Sequence, residues 1–176
     1  MKLTEPELEN EIKEFFGGEM MSDAKTLDRY SRDASLLEVK PKLVLFPKNV
    51  GDIEKLVKFV SENKKDNPKL SITARAAGTD MSGGAIGESI ILDMTKHFQG
   101  VVSVAESGAT VLPGTFYRDF EVETLKNNLI LPCYTASKDL CAVGGMVANN
   151  SAGEKTLAYG KTEDYIKELK VVFSDG

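Results

Sequence analysis

Two stretches of the sequence have the residue types and spacing to hold an anion. Arg75-Ala76-Ala77-Gly78-Thr79-Asp80-Met81-Ser82-Gly83-Gly84 is small, polar and glycine-rich and follows a short apolar run. Backbone N–H groups in such a segment can converge on a phosphate with little side-chain bulk in the way. An ordinary connecting loop has the same composition, since glycine marks turns as well as ligands. The second stretch, Cys141-Ala142-Val143-Gly144-Gly145-Met146-Val147-Ala148-Asn149-Asn150-Ser151-Ala152-Gly153, adds amide and hydroxyl groups able to hydrogen-bond phosphate or ring edges. Two cradles suit one long ligand, a diphosphate between two aromatic ring systems. The competing reading is that Gly144-Gly145 only permits close packing of a short helix.

The familiar nucleotide motifs do not account for the first loop. Its glycines are not followed by Lys-Ser or Lys-Thr at P-loop spacing, GxGxxG is absent, and the loop runs into the apolar Ile90-Ile91-Leu92 rather than into a helix N-terminus. A kinase, GTPase or Rossmann enzyme is therefore disfavoured. Cys133 and Cys141 lack CxxC spacing and His97 is the sole histidine, which leaves no cluster for a zinc or iron–sulfur site. No metal is expected, and the two thiols read as free cysteines of a reducing compartment.

The elements that must position these stretches follow from periodicity. Thr4 to Phe16 predicts an amphipathic helix, with Leu8, Ile12, Phe15 and Phe16 on one side and Gly17-Gly18 closing it. Ser22 to Tyr30 predicts a second short helix capped by Ser22. Leu43 to Phe46 reads as a strand, Asn49 to Asn63 as a capped helix, and Leu70 to Ala74 and Ser89 to Met94 as strands flanking the first glycine-rich loop, a βαβ-like unit. Further on come a hairpin of Val101 to Ala105 with Ala109 to Leu112, a helix over Gly114 to Lys126, a short strand over Leu129 to Leu131, a helix start at Ser137 to Leu140 and a closing strand over Ile166 to Phe173. Asp175-Gly176 after that strand is a turn signal that introduces a partner strand, and none follows, so the sequence reads as a domain cut short or completed by another chain.

The 176 residues carry 22 Lys plus Arg against 27 Asp plus Glu, a net charge of −5, with 41% hydrophobic residues and no Trp. That composition suits a soluble acidic protein and argues against a nucleic-acid partner, because the lysines alternate with acids and form no basic stripe. No apolar run approaches the ~20 residues of a transmembrane helix and Met1 to Asn10 is no signal peptide, so the expected location is the cytoplasm.

Several of these motifs occur together in one order: Pro41-Lys42-Leu43-Val44-Leu45-Phe46-Pro47, Arg75 to Thr79 with Ser82-Gly83, Leu92-Asp93-Met94, Val143-Gly144-Gly145 with Asn149 to Gly153, and Lys170 to Gly176. In that order the chain resembles the FAD-binding domain of the vanillyl-alcohol oxidase and p-cresol methylhydroxylase superfamily. Tyr30-Ser31-Arg32-Asp33-Ala34-Ser35 and Tyr159-Gly160-Lys161-Thr162-Glu163-Asp164 are most similar to the FAD-linked 2-hydroxy-acid dehydrogenases, the group of the glycolate oxidase flavin subunit, D-lactate dehydrogenase and D-2-hydroxyglutarate dehydrogenase. A cell-wall precursor reductase of the same superfamily fits these two stretches less well.

The resemblance implies an α+β fold of two subdomains with FAD between them, truncated at the C-terminal end. It implies an N-terminal helical segment over 1–38 and an FAD-binding domain over 39–176, divided at 39–98 and an incomplete 99–176. Arg75, Ala76, Ala77, Gly78, Thr79, Ser82 and Gly83 would hold the pyrophosphate through backbone amides, with Asp80 orienting the loop. Pro132 together with Cys141, Ala142, Gly144, Gly145, Asn149, Asn150, Ser151 and Gly153 would line the rest of the FAD path. Thr79 stands near the place where some members carry a flavin-linking histidine, so the implied FAD is noncovalent. The implied activity is oxidation of a small hydroxy acid such as glycolate or D-lactate, with hydride transfer to FAD and onward transfer to an electron acceptor that the sequence does not specify. Substrate-binding and proton-transfer residues would lie in a second domain, so no catalytic residue is assigned, and Lys155, Tyr159 and Lys161 read as surface or loop-anchoring groups. The alternative is a noncatalytic or split flavin-binding subunit, completed through its exposed strand edge by a partner chain or a second copy.

Overall fold

The computed structural model describes residues 3–176, which form two units. The first comprises residues 3–75, 80–93 and 170–176; the second comprises residues 76–79 and 94–169.

In the first unit the Thr4 start signal holds. Helix α1 runs Glu5–Phe15, and the Glu7 carboxylate accepts from both the Thr4 amide (2.8 Å) and the Thr4 hydroxyl (2.7 Å), which holds its pKa below the ordinary value. Strand β1 (Glu19–Met21) follows and was not foreseen; helix α2 (Ala24–Tyr30) is capped by Asp23, whose carboxylate accepts from Thr26 N, and not by Ser22. The aspartate lies one residue closer to the first turn, where an anion also meets the helix dipole favourably.

Strand β2 (Leu43–Phe46) is buried throughout, as expected of a continuous apolar run in a sheet covered on both faces. Helix α3 (Val50–Asn63) leads on to β3 (Ile72–Arg75), and β4 (Ile90–Asp93) inserts between β2 and β3, parallel to both. The sheet order is β1-β2-β4-β3, with β1 antiparallel to β2. Asp52, buried on α3, accepts from the amides of Gly17 (3.0 Å) and Lys48 (2.8 Å), pinning the entry to β1 and the exit from β2. Leu27, Tyr30, Val44, Phe46 and Ile91 pack together, and the Tyr30 and Phe46 rings meet edge to face at 6.1 Å.

The second unit carries the hairpin β5 (Val101–Ala105) and β6 (Gly108–Val111), then α4 (Tyr117–Leu125), α5 (Val143–Ala148), α6 (Thr156–Tyr159) and a 3₁₀ turn at Thr162–Tyr165. Its core is Tyr117, Phe120, Cys141, Val143 and Met146, against which Val101, Val111, Leu131 and Tyr134 pack. Helix α4 begins at Tyr117 and not at Gly114, because the amide of Gly114 is drawn to Phe98 O and that of Thr115 to Leu112 O in a turn.

Three expected elements do not form. Residues 129–131 and 166–173 are not strands, and 137–140 is a turn ending in the Leu140 N to Ser137 O bond. The apolar run of 166–173 has no strand to pair with among the described residues, and Leu169, Val171 and Phe173 stay exposed. A strand is a pairing, and strand-forming residues without a partner leave their backbone to solvent.

Candidate cofactor site

Arg75 ends β3 in register with Asp93 on β4. Its side chain turns back on its own unit: Nη1 donates to Ala85 O (3.1 Å) and the guanidinium lies 5.1 Å from the Tyr30 ring centroid. Burial lowers the Arg75 pKa, and burial raises that of Tyr30, whose hydroxyl donates to Asp93 Oδ2 at 2.8 Å. The arginine thus bridges the two ends of the first glycine-rich loop.

Within the loop, Asp80 Oδ2 accepts from Ser82 N (3.0 Å), Ser82 Oγ (2.8 Å) and Gly84 N (2.6 Å). This is the local turn that a short carboxylate forms with amides two and four residues on. Gly83 takes φ +88°, a backbone conformation open to glycine.

Ala76, Ala77, Gly78 and Thr79 belong to the second unit, together with the second glycine-rich stretch. A Cβ placed on Gly145 would lie 3.7 Å from Ala76 Cβ, which brings the two stretches side by side within that unit. Residues 143–148 of the second stretch form helix α5, whose start is stitched to residues 113–117. Val143 N donates to Thr115 O (2.9 Å), Gly144 N to Pro113 O (2.8 Å), and Cys141 O accepts from Tyr117 N. The amides of Val143 and Gly144 are therefore engaged by the protein itself. A Cβ on Gly144 would stand 2.7 Å from both the oxygen and Cβ of Pro113, so close packing is one role of this glycine.

The C-terminal part of the stretch is held by residues beyond it. Asn150 has φ +44° and its Oδ1 accepts from Glu163 N (3.0 Å), while Ser151 O accepts from both the amide (3.1 Å) and the hydroxyl (2.8 Å) of buried Thr162. Gly153 sits where a Cβ would overlap the Tyr134 carbonyl, and the Thr156 hydroxyl closes the turn against Gly153 N and O. Pro132 precedes buried Cys133, whose thiol is pushed up by burial. Cys141 is a free, buried thiol 3.5 Å from Thr135 Oγ1. Tyr134 receives the Lys138 and Lys155 ammonium groups at 4.9 and 5.4 Å and donates to Glu154 (3.1 Å).

Arg75, Asp80, Ser82 and Gly83 thus lie in the first unit, and Ala76 to Thr79, Pro132 and Cys141 to Gly153 in the second. Periodicity did not single out Pro113, Thr115, Tyr134 or Thr162, which shape the second stretch; the Tyr159 to Asp164 motif was the one signal that touched this group. Among the described residues no group of His, Cys, Asp and Glu is placed to hold a metal ion.

The donor set fits an anionic dinucleotide. Residues 76–79 and 141–153 contain no charged side chain that would repel phosphate, and they supply the Thr79 and Ser151 hydroxyls and the Asn149 and Asn150 amides.

Comparison with known proteins agrees with this reading. The fold is that of a solved alkyldihydroxyacetonephosphate synthase, with a TM-score of 0.82 and 21% identity over 99% of this chain and 35% of that one. The family described as FAD binding domain matches residues 41–176, and the chain belongs to that family. Among curated proteins it is 25% identical to D-2-hydroxyglutarate dehydrogenase of Pseudomonas putida over 163 residues, covering 92% of this chain and 16% of the relative. It is 30% identical to glycolate oxidase subunit GlcD of Bacillus subtilis over 151 residues, covering 84% of this chain and 31% of the relative. The chain therefore spans a third or less of the length of these curated relatives.

Proposed function

We propose that this chain is the cofactor-holding part of an FAD-dependent oxidoreductase that oxidises a 2-hydroxy acid such as glycolate or D-lactate. The observation that carries the proposal is the grouping of uncharged Ala76 to Thr79 with uncharged α5 in one unit of an FAD-binding-family chain. When bound, FAD supplies two-electron acceptance from the carbon bearing the substrate hydroxyl.

The work of the protein residues is to hold the cofactor. The amides of Ala76 to Thr79, with Ser82 and Gly83, take the pyrophosphate, and Gly145, Asn149, Asn150, Ser151 and Gly153 with Pro132, Cys141, Ala142 and Gly144 shape the path for the remainder. Arg75 and Asp80 act on the loop that carries these amides: both side chains hydrogen-bond within it, and neither is assigned to the phosphate. The FAD-binding domain occupies 39–176, FAD is held noncovalently, and the protein works in the cytoplasm with a hydroxy-acid substrate and a separate electron acceptor.

The supporting relatives are D-2-hydroxyglutarate dehydrogenase and a glycolate oxidase subunit. That the latter is a subunit supports a second reading, a flavin-binding chain that works in complex with a partner or a second copy. A fluorescence polarisation titration of FAD, with FMN and ADP as competitors, tests the first reading: saturable binding weakened by ADP is expected, and no FAD binding would discard it. Release of all flavin on denaturation and ultrafiltration is the result expected for noncovalent attachment.

A further inference from the structure

The turn between α2 and β2 lies ahead of the region matched by the FAD-binding family, yet it reaches the first glycine-rich loop at both ends and in the middle. At the start of the loop the Tyr30 ring carries the Arg75 guanidinium at 5.1 Å. In the middle, Leu37 Cδ1 sits 2.8 Å from the position a Gly83 Cβ would take. At the end, Asp33 Oδ2 accepts from Ala85 N (3.4 Å), and Tyr30 donates to Asp93 on the strand the loop enters.

The turn is itself closed by local bonds. Ser35 N donates to Asp33 Oδ1 (2.9 Å), Leu37 N to Ser35 Oγ (3.1 Å) and Val39 N to Ser31 O (2.8 Å), and Arg32 pairs with Glu38 both as a backbone bridge and as an ion pair at 2.8 Å. Asp33 therefore uses one carboxylate oxygen to hold its own turn and the other to hold the glycine-rich loop.

We propose that the Tyr30–Leu37 turn is a latch that fixes residues 80–85 of the loop in their cofactor-competent shape, with Asp33 as a positioning residue; this rests on the FAD-binding reading above. A loop this rich in glycine samples many backbone states when free, and only the fraction already in the right shape binds. A latch that raises this fraction tightens binding without touching the cofactor.

The test uses the 176-residue chain and three variants: Asp33→Ala, Asp33→Glu, and Ile12→Val as a control for lost stability in the buried face of α1. Dissociation constants are measured for FAD and for ADP, and hydrogen exchange is followed at the amides of Ser82, Gly84 and Ala85. Asp33→Ala is expected to raise both constants about tenfold, the result of a competent fraction cut to about a tenth, and to speed exchange at these amides. Asp33→Glu, which keeps both acceptors, should recover part of each effect, whereas Ile12→Val should lower Tm and leave constants and loop exchange unchanged. Unchanged exchange in Asp33→Ala overturns the latch whatever FAD does. Faster exchange with unaltered affinity overturns its role in binding. A wild-type chain that binds neither FAD nor ADP discards the cofactor reading, and the exchange data then decide separately whether Asp33 orders the loop.

Discussion

Residues 80–85 and residues 143–153 are both rich in glycine, and they take their shapes from different partners. In the first, side chains do the holding: Asp80 accepts from Ser82 and Gly84, Asp33 accepts from Ala85, and the Arg75 guanidinium donates to Ala85 O. In the second, backbone holds the helical start and the glycines: Pro113 O and Thr115 O take the amides of Gly144 and Val143, and Gly153 is pressed against the Tyr134 carbonyl. The Thr162 and Thr156 hydroxyls add bonds at Ser151 and Gly153. Gly83 of the first loop serves conformation, while Gly144 and Gly153 serve close approach. Side-chain clasps can be removed singly at modest cost, whereas a backbone contact leaves no room for any added atom.

The sharpest way to break this comparison is Gly153→Ala. The new Cβ would overlap Tyr134 O and meet Thr135 Cα at 3.3 Å, and backbone cannot rotate away. A loss of about 3 kcal/mol or more is expected in urea unfolding followed by near-ultraviolet tyrosine signals. An unchanged midpoint would show that the segment yields and that the backbone account is wrong.

Next comes the neighbouring pair in α5. Gly144→Ala should cost about 1–3 kcal/mol against Pro113, whereas Gly145→Ala meets only Ala76 Cβ at 3.7 Å and should be neutral or gain up to about 1 kcal/mol of helix propensity. Gly145→Ala should nonetheless raise the FAD dissociation constant, because the added methyl enters the proposed cofactor path. Equal losses of stability at the two positions would contradict the assignment of roles.

Asp80→Ala sharpens the other side. It removes three exposed hydrogen bonds and should cost about 1 kcal/mol of stability while weakening FAD binding by a larger factor than Thr162→Val, which removes the bond to Ser151 O. Calorimetry of the two variants with and without FAD would show the order.

The smallest expected effect is the alkaline one. Burial raises the pKa of Cys133, Tyr30 and Tyr117 in the folded chain above their unfolded values. Groups shifted in this direction stabilise fully below the unfolded pKa and lose that contribution as pH rises through the folded one. Urea midpoints should hold to about pH 8, fall first through the thiol window opening near an ordinary value of about 8.5, and fall further above about 10 as the tyrosines follow. Cys133→Ala should remove the first part of the fall; an unaltered profile would place its cause elsewhere.

Parts of the fold were legible in the residues because the signal is local. The four-residue apolar run of β2 is buried on both faces, and Asn49 with Asp52 marks the start of α3 as a capping pair does. Strand β1 was not legible, since Glu19-Met20-Met21 has neither alternation nor strand-forming side chains and becomes a strand through pairing with β2. The reverse holds for 166–173, where an apolar, valine-rich run finds no strand partner among the described residues. For the candidate site, composition pointed to two phosphate-tolerant stretches, and no local rule could say that Val143 and Gly144 had already given their amides to carbonyls from residues 113 and 115.

The sequence by itself determined the residue chemistry: two glycine-rich segments in a fixed order, the second of them uncharged, an apolar strand run, and the caps that start helices. Only the tertiary structure decided which amides stay available, which glycines are filled by neighbouring backbone, and that Tyr30 and Asp33 reach a loop more than forty residues further along the chain. The reason is physical: propensity and patterning act within a few residues, whereas hydrogen-bond satisfaction and close packing are settled between segments that meet only when the chain has folded.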